Sequence, residues 1–142
     1  MKRRPRVLLL DDDSTIAAGM TALLDLEGID LHWHSSPITL PIAVNRFSPD
    51  LILLDLGMPA LSGASLIETT RRILKKRVPT VLFSGRSAQE LSRLTEEFDM
   101  TGFIAKGDDI NHTVANIRFY LNHVEAMKGD DHAATVAASL AA

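Results

Sequence analysis

Residues 7–15 read VLLLDDDST: four apolar residues, then three carboxylates, then two hydroxyls. An unbroken apolar run of this kind is typical of a parallel strand that is covered on both faces. Carboxylates gathered at the end of such a strand repel one another, so they either shift a pKa or recruit a cation. Asp13 and Ser14 also suit the start of a helix, where negative charge is favourable. The stretch therefore predicts a buried strand, an acidic loop and a helix.

Composition limits the classes of protein to which the chain can belong. It has 142 residues, of which 46% are hydrophobic and 23% charged, with a net charge of −3. This balance is typical of one soluble globular domain and gives no basic surface for direct nucleic-acid binding. The absence of cysteine excludes disulfides and thiolate metal sites. The apolar run after the basic start is too short for a signal peptide, and no segment predicts a membrane span, so we expect a cytoplasmic protein.

Short apolar runs and helical segments alternate along the chain. The runs rich in Val, Leu and Ile cover residues 6–10, 29–33, 50–54, 78–83 and 102–105. Alternation of strands and helices predicts an α/β fold with a doubly wound parallel sheet of five strands and helices on both faces.

The helical segments have a clear apolar period in four cases. The last one is the clearest, with apolar residues from Ile110 to Val124 at steps of four and three. Another begins with Ser87 and Glu90, the spacing of a capping box. Pro37 and Pro41 limit the second helix to about 41–47. We expect one domain over 5–127, followed by a weakly structured tail over 128–142.

Polar side chains stand where four of the predicted strands end. The acidic triplet 11–13 follows the first strand, and Asp55, Ser84 and Lys106 follow three others. Ligands of open parallel sheets bind at this edge, so these groups should lie close together. Carboxylates suit a hard cation such as Mg²⁺, and an ammonium and a hydroxyl suit phosphoryl oxygens. Gly57 lies in the loop after Asp55, from which its carbonyl can turn toward the same metal.

The motifs VLLLDDDST, DLILLDLGMPALSG, VPTVLFSG and GFIAKG, in this order, resemble the receiver domain of two-component response regulators. The resemblance covers residue 6 to about 127. It implies the CheY-like, flavodoxin-like strand order 2-1-3-4-5. It also implies that Asp55 accepts a phosphoryl group from the phosphohistidine of a sensor kinase, so that the domain catalyses its own phosphorylation and dephosphorylation.

The resemblance assigns roles to the other polar residues as well. Asp12 would bind Mg²⁺ directly, Asp11 would help through water or a hydrogen bond, and Gly57 would add its carbonyl. Ser84 and Lys106 would each contact a phosphoryl oxygen, as a phosphoryl-transfer site requires.

The implied switch involves an aromatic residue three positions before the lysine, which is Phe103. It would rotate when Ser84 moves toward the added phosphoryl group. The expected partners are a sensor histidine kinase or a phosphotransfer protein, and a downstream protein that docks on the fourth helix, fifth strand and fifth helix. No membrane and no nucleic acid is an expected partner.

Three positions depart from the common pattern of the family. Many receivers have Lys-Pro where this chain has Lys106 followed by Gly107. Gly57 offers no side chain that would position an attacking water. Arg86, two residues past Ser84, is placed to influence the same step.

Two other classes of function fit part of the sequence. Residues 11–15 are similar to the nucleophile motif of haloacid-dehalogenase-type phosphatases, with Asp11 as nucleophile and with Ser84, Lys106 and 108–109 as later motifs. Against this class, helical periodicity starts straight after residue 15, the lysine and the last acidic pair share one loop, and LLDLGMP has no role. The third class is a phosphorylation-independent interaction module with the same fold, which the complete set of polar residues disfavours.

Overall fold

Strands and helices alternate along the described part of the chain in the computed structural model. The structure describes residues 3–57, 63–74, 78–107 and 109–141, with the backbone alone over 129–141. The described residues form five strands and five helices: β1 (Arg6–Leu10), α1 (Ser14–Leu26), β2 (Asp30–His34), α2 (Leu40–Phe47), β3 (Leu51–Asp55), α3 (Gly63–Ile73), β4 (Thr80–Ser84), α4 (Ala88–Glu97), β5 (Gly102–Ala105) and α5 (Ile110–Ala141).

All five strands form one parallel sheet in the order β2-β1-β3-β4-β5. This confirms the predicted order. Every residue of β3 and β4 is buried, whereas β2 is half-exposed at one edge of the sheet. The unbroken apolar runs thus form the central strands, because only those strands are covered on both faces.

Alternate residues of the strands contribute to two apolar clusters, one on each face of the sheet. Leu9 of β1 clusters with Met20 of α1 and Ile117 of α5. Leu10, the next residue, clusters with residues of α2, α3 and α4, among them Leu66. Successive side chains of a strand point to opposite faces, so α1 and α5 cover one face and the other three helices cover the second. The carboxyl ends of the strands lie at one edge of the sheet, which the helices on its two faces do not cover.

The predicted capping box of α4 forms only in part. The Ser87 hydroxyl accepts a hydrogen bond from the Glu90 backbone N–H at 3.2 Å, as predicted. The Glu90 carboxylate accepts a hydrogen bond from Arg86 at 2.9 Å, in place of the predicted return bond to the backbone of Ser87. The competing cation lies one residue before the cap, so the carboxylate pairs with a charged donor, which is the stronger type of bond.

Helix α5 is longer than the apolar pattern predicts. Its backbone stays helical to Ala141, whereas the periodicity predicts an end near residue 127. The alanine-rich sequence from residue 133 onward has high intrinsic helix propensity and contains no proline, which favours a helix in this last segment. The division into a domain over 5–127 and a tail over 128–142 stays a prediction.

The outer edge of β5 is occupied by a side chain of α5. The Tyr120 hydroxyl accepts a hydrogen bond from the Phe103 backbone N–H at 3.2 Å and donates one to the Phe103 carbonyl at 3.1 Å. The Tyr120 ring lies directly against Gly102, where a β-carbon would overlap the ring. A glycine at this position is therefore what allows α5 to pack this closely on the strand.

Candidate functional site

Four strand ends bring the predicted site residues together at one edge of the sheet. Asp11 directly follows β1, Asp55 and Ser84 are the last residues of β3 and β4, and Lys106 directly follows β5. Asp11, Asp55 and Ser84 are all buried. Three short polar residues are thus held in the wall of the core, where polar groups need partners.

Lys106 links two of these strands through its ammonium group. Its Nζ lies 2.8 Å from Oδ2 of Asp11 and 3.2 Å from Oδ1 of Asp55. The same atom lies 5.0 Å from the centre of the Phe83 ring, within the range of a cation–π interaction. The Lys106 ammonium therefore compensates the charge of two buried carboxylates while it lies over the ring of Phe83.

Asp11 is held by both its backbone and its side chain. Its N–H donates to the His34 carbonyl at 3.1 Å, and its own carbonyl accepts from the Trp33 indole at 2.6 Å. Its Oδ1 accepts from the Asp13 N–H at 2.9 Å. The position of this carboxylate is therefore set by the sheet and by the first turn of the following loop.

The third member of the acidic triplet has a different role. The Asp13 carboxylate accepts hydrogen bonds from the backbone N–H groups of Thr15, at 2.9 Å, and Ile16, at 3.4 Å. It is the N-cap of α1, which confirms the role predicted from the sequence. Asp109 accepts similarly from the Asn111 N–H at the start of α5, whereas residue 108 lies outside the described residues.

The loop after Asp55 begins with a turn that its own carboxylate stabilises. The Gly57 N–H donates to Oδ1 of Asp55 at 3.0 Å. A β-carbon at residue 57 would lie 3.4 Å from the same oxygen. The direction of the Gly57 carbonyl toward a metal stays a prediction, and residues 58–62 lie outside the described part of the chain.

The two buried carboxylates are affected differently by their surroundings. Burial raises the pKa of Asp11, but hydrogen bonds from Lys106 and from the Asp13 N–H outweigh it, so the net pKa is lowered. Burial dominates for Asp55 and leaves its pKa raised. Burial also opposes the charge of Lys106, but contact with both aspartates leaves its pKa raised. The Lys106 ammonium thus stabilises the charged form of Asp11 more strongly than that of Asp55.

The carboxylates have the composition and spacing of a divalent cation site. One oxygen each of Asp11, Asp12 and Asp55 lies within 4.8 Å of the others, and Asp12 is exposed at the mouth of the group. Mg²⁺ prefers carboxylate and carbonyl oxygens and keeps several waters, so an open cluster of this kind suits it. The residues present therefore fit the metal that the sequence predicts.

Ser84 lies at the end of β4 and Phe103 lies in β5, and the switch that links them stays a prediction. The Ser84 hydroxyl accepts a hydrogen bond from the Arg86 N–H at 3.3 Å, and its carbonyl accepts from the Lys106 N–H at 2.7 Å. The Phe103 ring is half-buried against the apolar cluster on the α2–α4 face. Gly107 has a positive φ of 96°, which favours glycine at this position after the lysine.

Sequence analysis missed two residues that contact this group. Phe83 lies beneath the Lys106 ammonium, and Trp33 binds the Asp11 carbonyl. Phe83 is the last residue of β4 before Ser84, and Trp33 pairs with Leu9 two residues before Asp11. Both residues lie near the ends of strands, and this position in the sequence would have indicated that they lie close to the site.

Comparison with known proteins identifies the family. The model of the response regulator receiver domain matches residues 7–118, which is most of the chain. The chain belongs to this family. It is a receiver domain of two-component response regulators, and its five-stranded parallel sheet has the fold of that family.

The receiver domain is similar to part of several mycobacterial regulators. It is 30% identical to the DNA-binding response regulator MtrA of Mycobacterium tuberculosis over 115 residues, which make up 81% of this chain and 50% of that protein. It is 34% identical to the transcriptional regulatory protein PrrA of the same species over 84 residues, or 59% of this chain and 36% of that protein. The chain thus spans half of these relatives' length or less.

Solved receiver domains share the fold of this one. The signal receiver domain of a putative LuxO repressor protein from Vibrio parahaemolyticus superposes with a TM-score of 0.73 at 19% identity, covering 88% of this chain and 95% of that one. The receiver domain of the TMAO respiratory system response regulator TorR gives 0.71 at 22% identity, covering 84% and 98%. Among the described residues, no helix is long and apolar enough to cross a membrane.

Proposed function

We propose that Asp55 is the phosphoacceptor of this receiver domain, and that the donor is the phosphohistidine of a sensor histidine kinase or a phosphotransfer protein. The observation that carries the proposal is that a cation and a backbone donor contact the same oxygen of one buried carboxylate, whereas the corresponding contacts of Asp11 use both of its oxygens. Lys106 and the Gly57 N–H both contact Oδ1 of Asp55. We assign Oδ2 as the attacking oxygen: it forms the new bond to phosphorus while the bond from phosphorus to the imidazole nitrogen breaks.

We assign the divalent site to Mg²⁺, held by Asp11, Asp12, Asp55 and the Gly57 carbonyl. When bound, the metal neutralises charge on the phosphoryl oxygens, which is the main requirement of phosphoryl transfer. The spacing of the three carboxylates supports this assignment. Asp11 would orient the group from the core, and exposed Asp12 would contact the metal directly.

Lys106 and Ser84 act after the phosphoryl group has arrived. The Lys106 ammonium already lies within 3.2 Å of Asp55 and would pair with a phosphoryl oxygen. The Ser84 hydroxyl, which accepts from the Arg86 N–H, would donate its own proton to another phosphoryl oxygen and move its loop inward. Phe103 would then rotate, and the face formed by α4, β5 and α5 would change shape for a downstream protein. We propose the cytoplasm as the compartment in which this exchange occurs.

Labelling by acetyl phosphate tests the assignment of Asp55. We expect Asp55→Asn to abolish Mg²⁺-dependent labelling of the folded protein. Asp13→Asn is the matched control, because it changes a carboxylate at the same edge of the sheet that caps α1, and it should keep the label. Profiling against the sensor kinases of the host would then identify the physiological donor.

The same labelling separates this proposal from a phosphatase of the haloacid-dehalogenase type. Labelling that survives Asp55→Asn and disappears in Asp11→Asn would favour the phosphatase. The N-cap role of Asp13 disfavours that class, because the second aspartate of the motif would have to face the substrate. A downstream partner whose affinity ignores both phosphodonor and Mg²⁺ would favour the phosphorylation-independent interaction module.

A further inference from the structure

The Trp33 indole replaces a backbone donor that strand β2 no longer supplies. The last residue pair between β1 and β2 joins Leu10 to His34, so the Asp11 carbonyl lies past the end of this ladder. The indole N–H donates to that carbonyl at 2.6 Å. A carbonyl at the end of a sheet needs a partner, and here a side chain from the neighbouring strand provides it.

Asp12 depends on its backbone for its position. Within the described part of the chain, its side chain makes no hydrogen bond or ion pair, unlike the side chains of Asp11 and Asp13. The carbonyl of Asp11 and the nitrogen of Asp12 belong to one planar peptide group. A bond that holds this carbonyl therefore also fixes the plane from which Asp12 projects.

We propose that Trp33 is a positioning residue for the Mg²⁺ site: its indole N–H, through the Asp11 carbonyl, sets the direction of Asp12. The inference rests on the proposed function, because it concerns the same metal site. Trp33 is 37% exposed at the edge of the sheet, and its indole bonds the backbone of the loop that carries Asp12. Partners of this indirect kind tune metal affinity by fixing the ligands in place.

Removal of the indole N–H should weaken Mg²⁺ binding by about threefold to tenfold. This factor corresponds to the net free energy that a single neutral hydrogen bond contributes. The cleanest variant replaces Trp33 with benzothienylalanine, which keeps the bicyclic ring and lacks the donor. Trp33→Phe is the simpler version. The Kd for Mg²⁺ is measured by calorimetry, and the free energy of unfolding is measured separately in EDTA, so that a loss of stability is not mistaken for a loss of metal affinity.

Tyr120→Phe is the matched control. It also removes hydrogen bonds between an aromatic side chain and a strand backbone, at the opposite edge of the sheet. We expect it to lower stability and to leave the Kd for Mg²⁺ unchanged. An equal loss of Mg²⁺ affinity in both variants, or an unchanged Kd in the benzothienylalanine protein, overturns the inference.

A measurement on the unsubstituted protein tests the inference even where the variants do not fold. The sequence has one tryptophan, so the indole N–H gives a single resonance. We expect slow hydrogen exchange and a shift on addition of Mg²⁺ with the same midpoint as the calorimetric titration. Exchange at the rate of a free indole contradicts the proposal. If the protein binds no Mg²⁺ at all, the proposed metal site fails with it, whereas normal binding with a free indole contradicts only the role of Trp33.

Discussion

The Lys106 ammonium lies 2.8 Å from Oδ2 of Asp11, a carboxylate with no surface exposed to solvent. Removal of one member of a buried ion pair leaves the other uncompensated, which costs about 3–5 kcal/mol. We therefore expect Lys106→Met to reduce the free energy of unfolding by about 3 kcal/mol in EDTA, as measured by urea denaturation. Millimolar Mg²⁺ should restore part of the loss, because a metal ion supplies positive charge to the same carboxylates.

Lys128→Met provides the comparison for that measurement. Its Nζ lies 3.6 Å from Asp50, and its side chain is 58% exposed. Exposed pairs contribute about 0–1 kcal/mol, so this variant should be nearly as stable as the original protein. Similar losses in the two lysine variants would contradict the assignment of Lys106 to a buried pair.

Asp55→Asn should raise the melting temperature of the metal-free protein at neutral pH. Burial raises the pKa of Asp55 in the folded state, so its charged form lowers stability wherever both folded and unfolded states are ionised. As the pH falls through the folded pKa toward the ordinary value of 3.8, this penalty disappears and the advantage of the amide should vanish. Thermal unfolding in EDTA at neutral pH and at about pH 4 tests both parts. A variant that is no more stable than the parent at neutral pH would contradict the prediction.

Fluorescence of Trp33 should report divalent cation binding. The ring is partly exposed, and its N–H donates to the Asp11 carbonyl beside the carboxylate cluster. Reorientation of the loop by Mg²⁺ should change the indole emission in a saturable way. Asp12→Asn should shift the midpoint of this titration to higher Mg²⁺ concentration. A response that is linear in Mg²⁺, or identical in the variant, would show that the indole does not sense the site.

Gly102→Ala should destabilise the fold. The added β-carbon would overlap the Tyr120 ring, and overpacking of this kind costs about 1–3 kcal/mol. Gly19→Ala is the matched control, because its added β-carbon would meet no atom within 4 Å apart from its own stretch of helix backbone, and alanine favours the helix by about 0.5–1 kcal/mol. Urea denaturation should therefore give opposite signs for the two variants. Truncation of the ring in Gly102→Ala/Tyr120→Ala should cost less than the sum of the single changes; simple additivity would contradict the clash.

Much of the fold follows from residue patterns that are local in the sequence. Unbroken apolar runs predict the central strands because a strand covered on both faces has no polar side, as β3 and β4 show. The meeting of Asp11, Asp55, Ser84 and Lys106 follows from the geometry of parallel strands, whose carboxyl ends share one edge. The N-cap role of Asp13 is equally local.

Three other features were not predictable in the same way. The bond from Trp33 to Asp11 depends on where β2 ends relative to β1. An apolar pattern does not predict that relative position to within one residue. The partner of Glu90 depended on competition between a backbone donor and Arg86. Apolar periodicity marks packing, so it does not indicate how far the backbone of α5 stays helical beyond the last packed residues.

The Tyr120 hydroxyl also bears on how copies of this protein can associate. An exposed edge strand is a template on which a second chain can add its own strand, and unprotected edges promote aggregation. At β5 the outward N–H and carbonyl of Phe103 are both bonded to Tyr120. Another strand would have to displace the tyrosine before it could pair there. Self-association on this side is therefore directed to side chains of the flanking helices, and continuous intermolecular sheets are disfavoured.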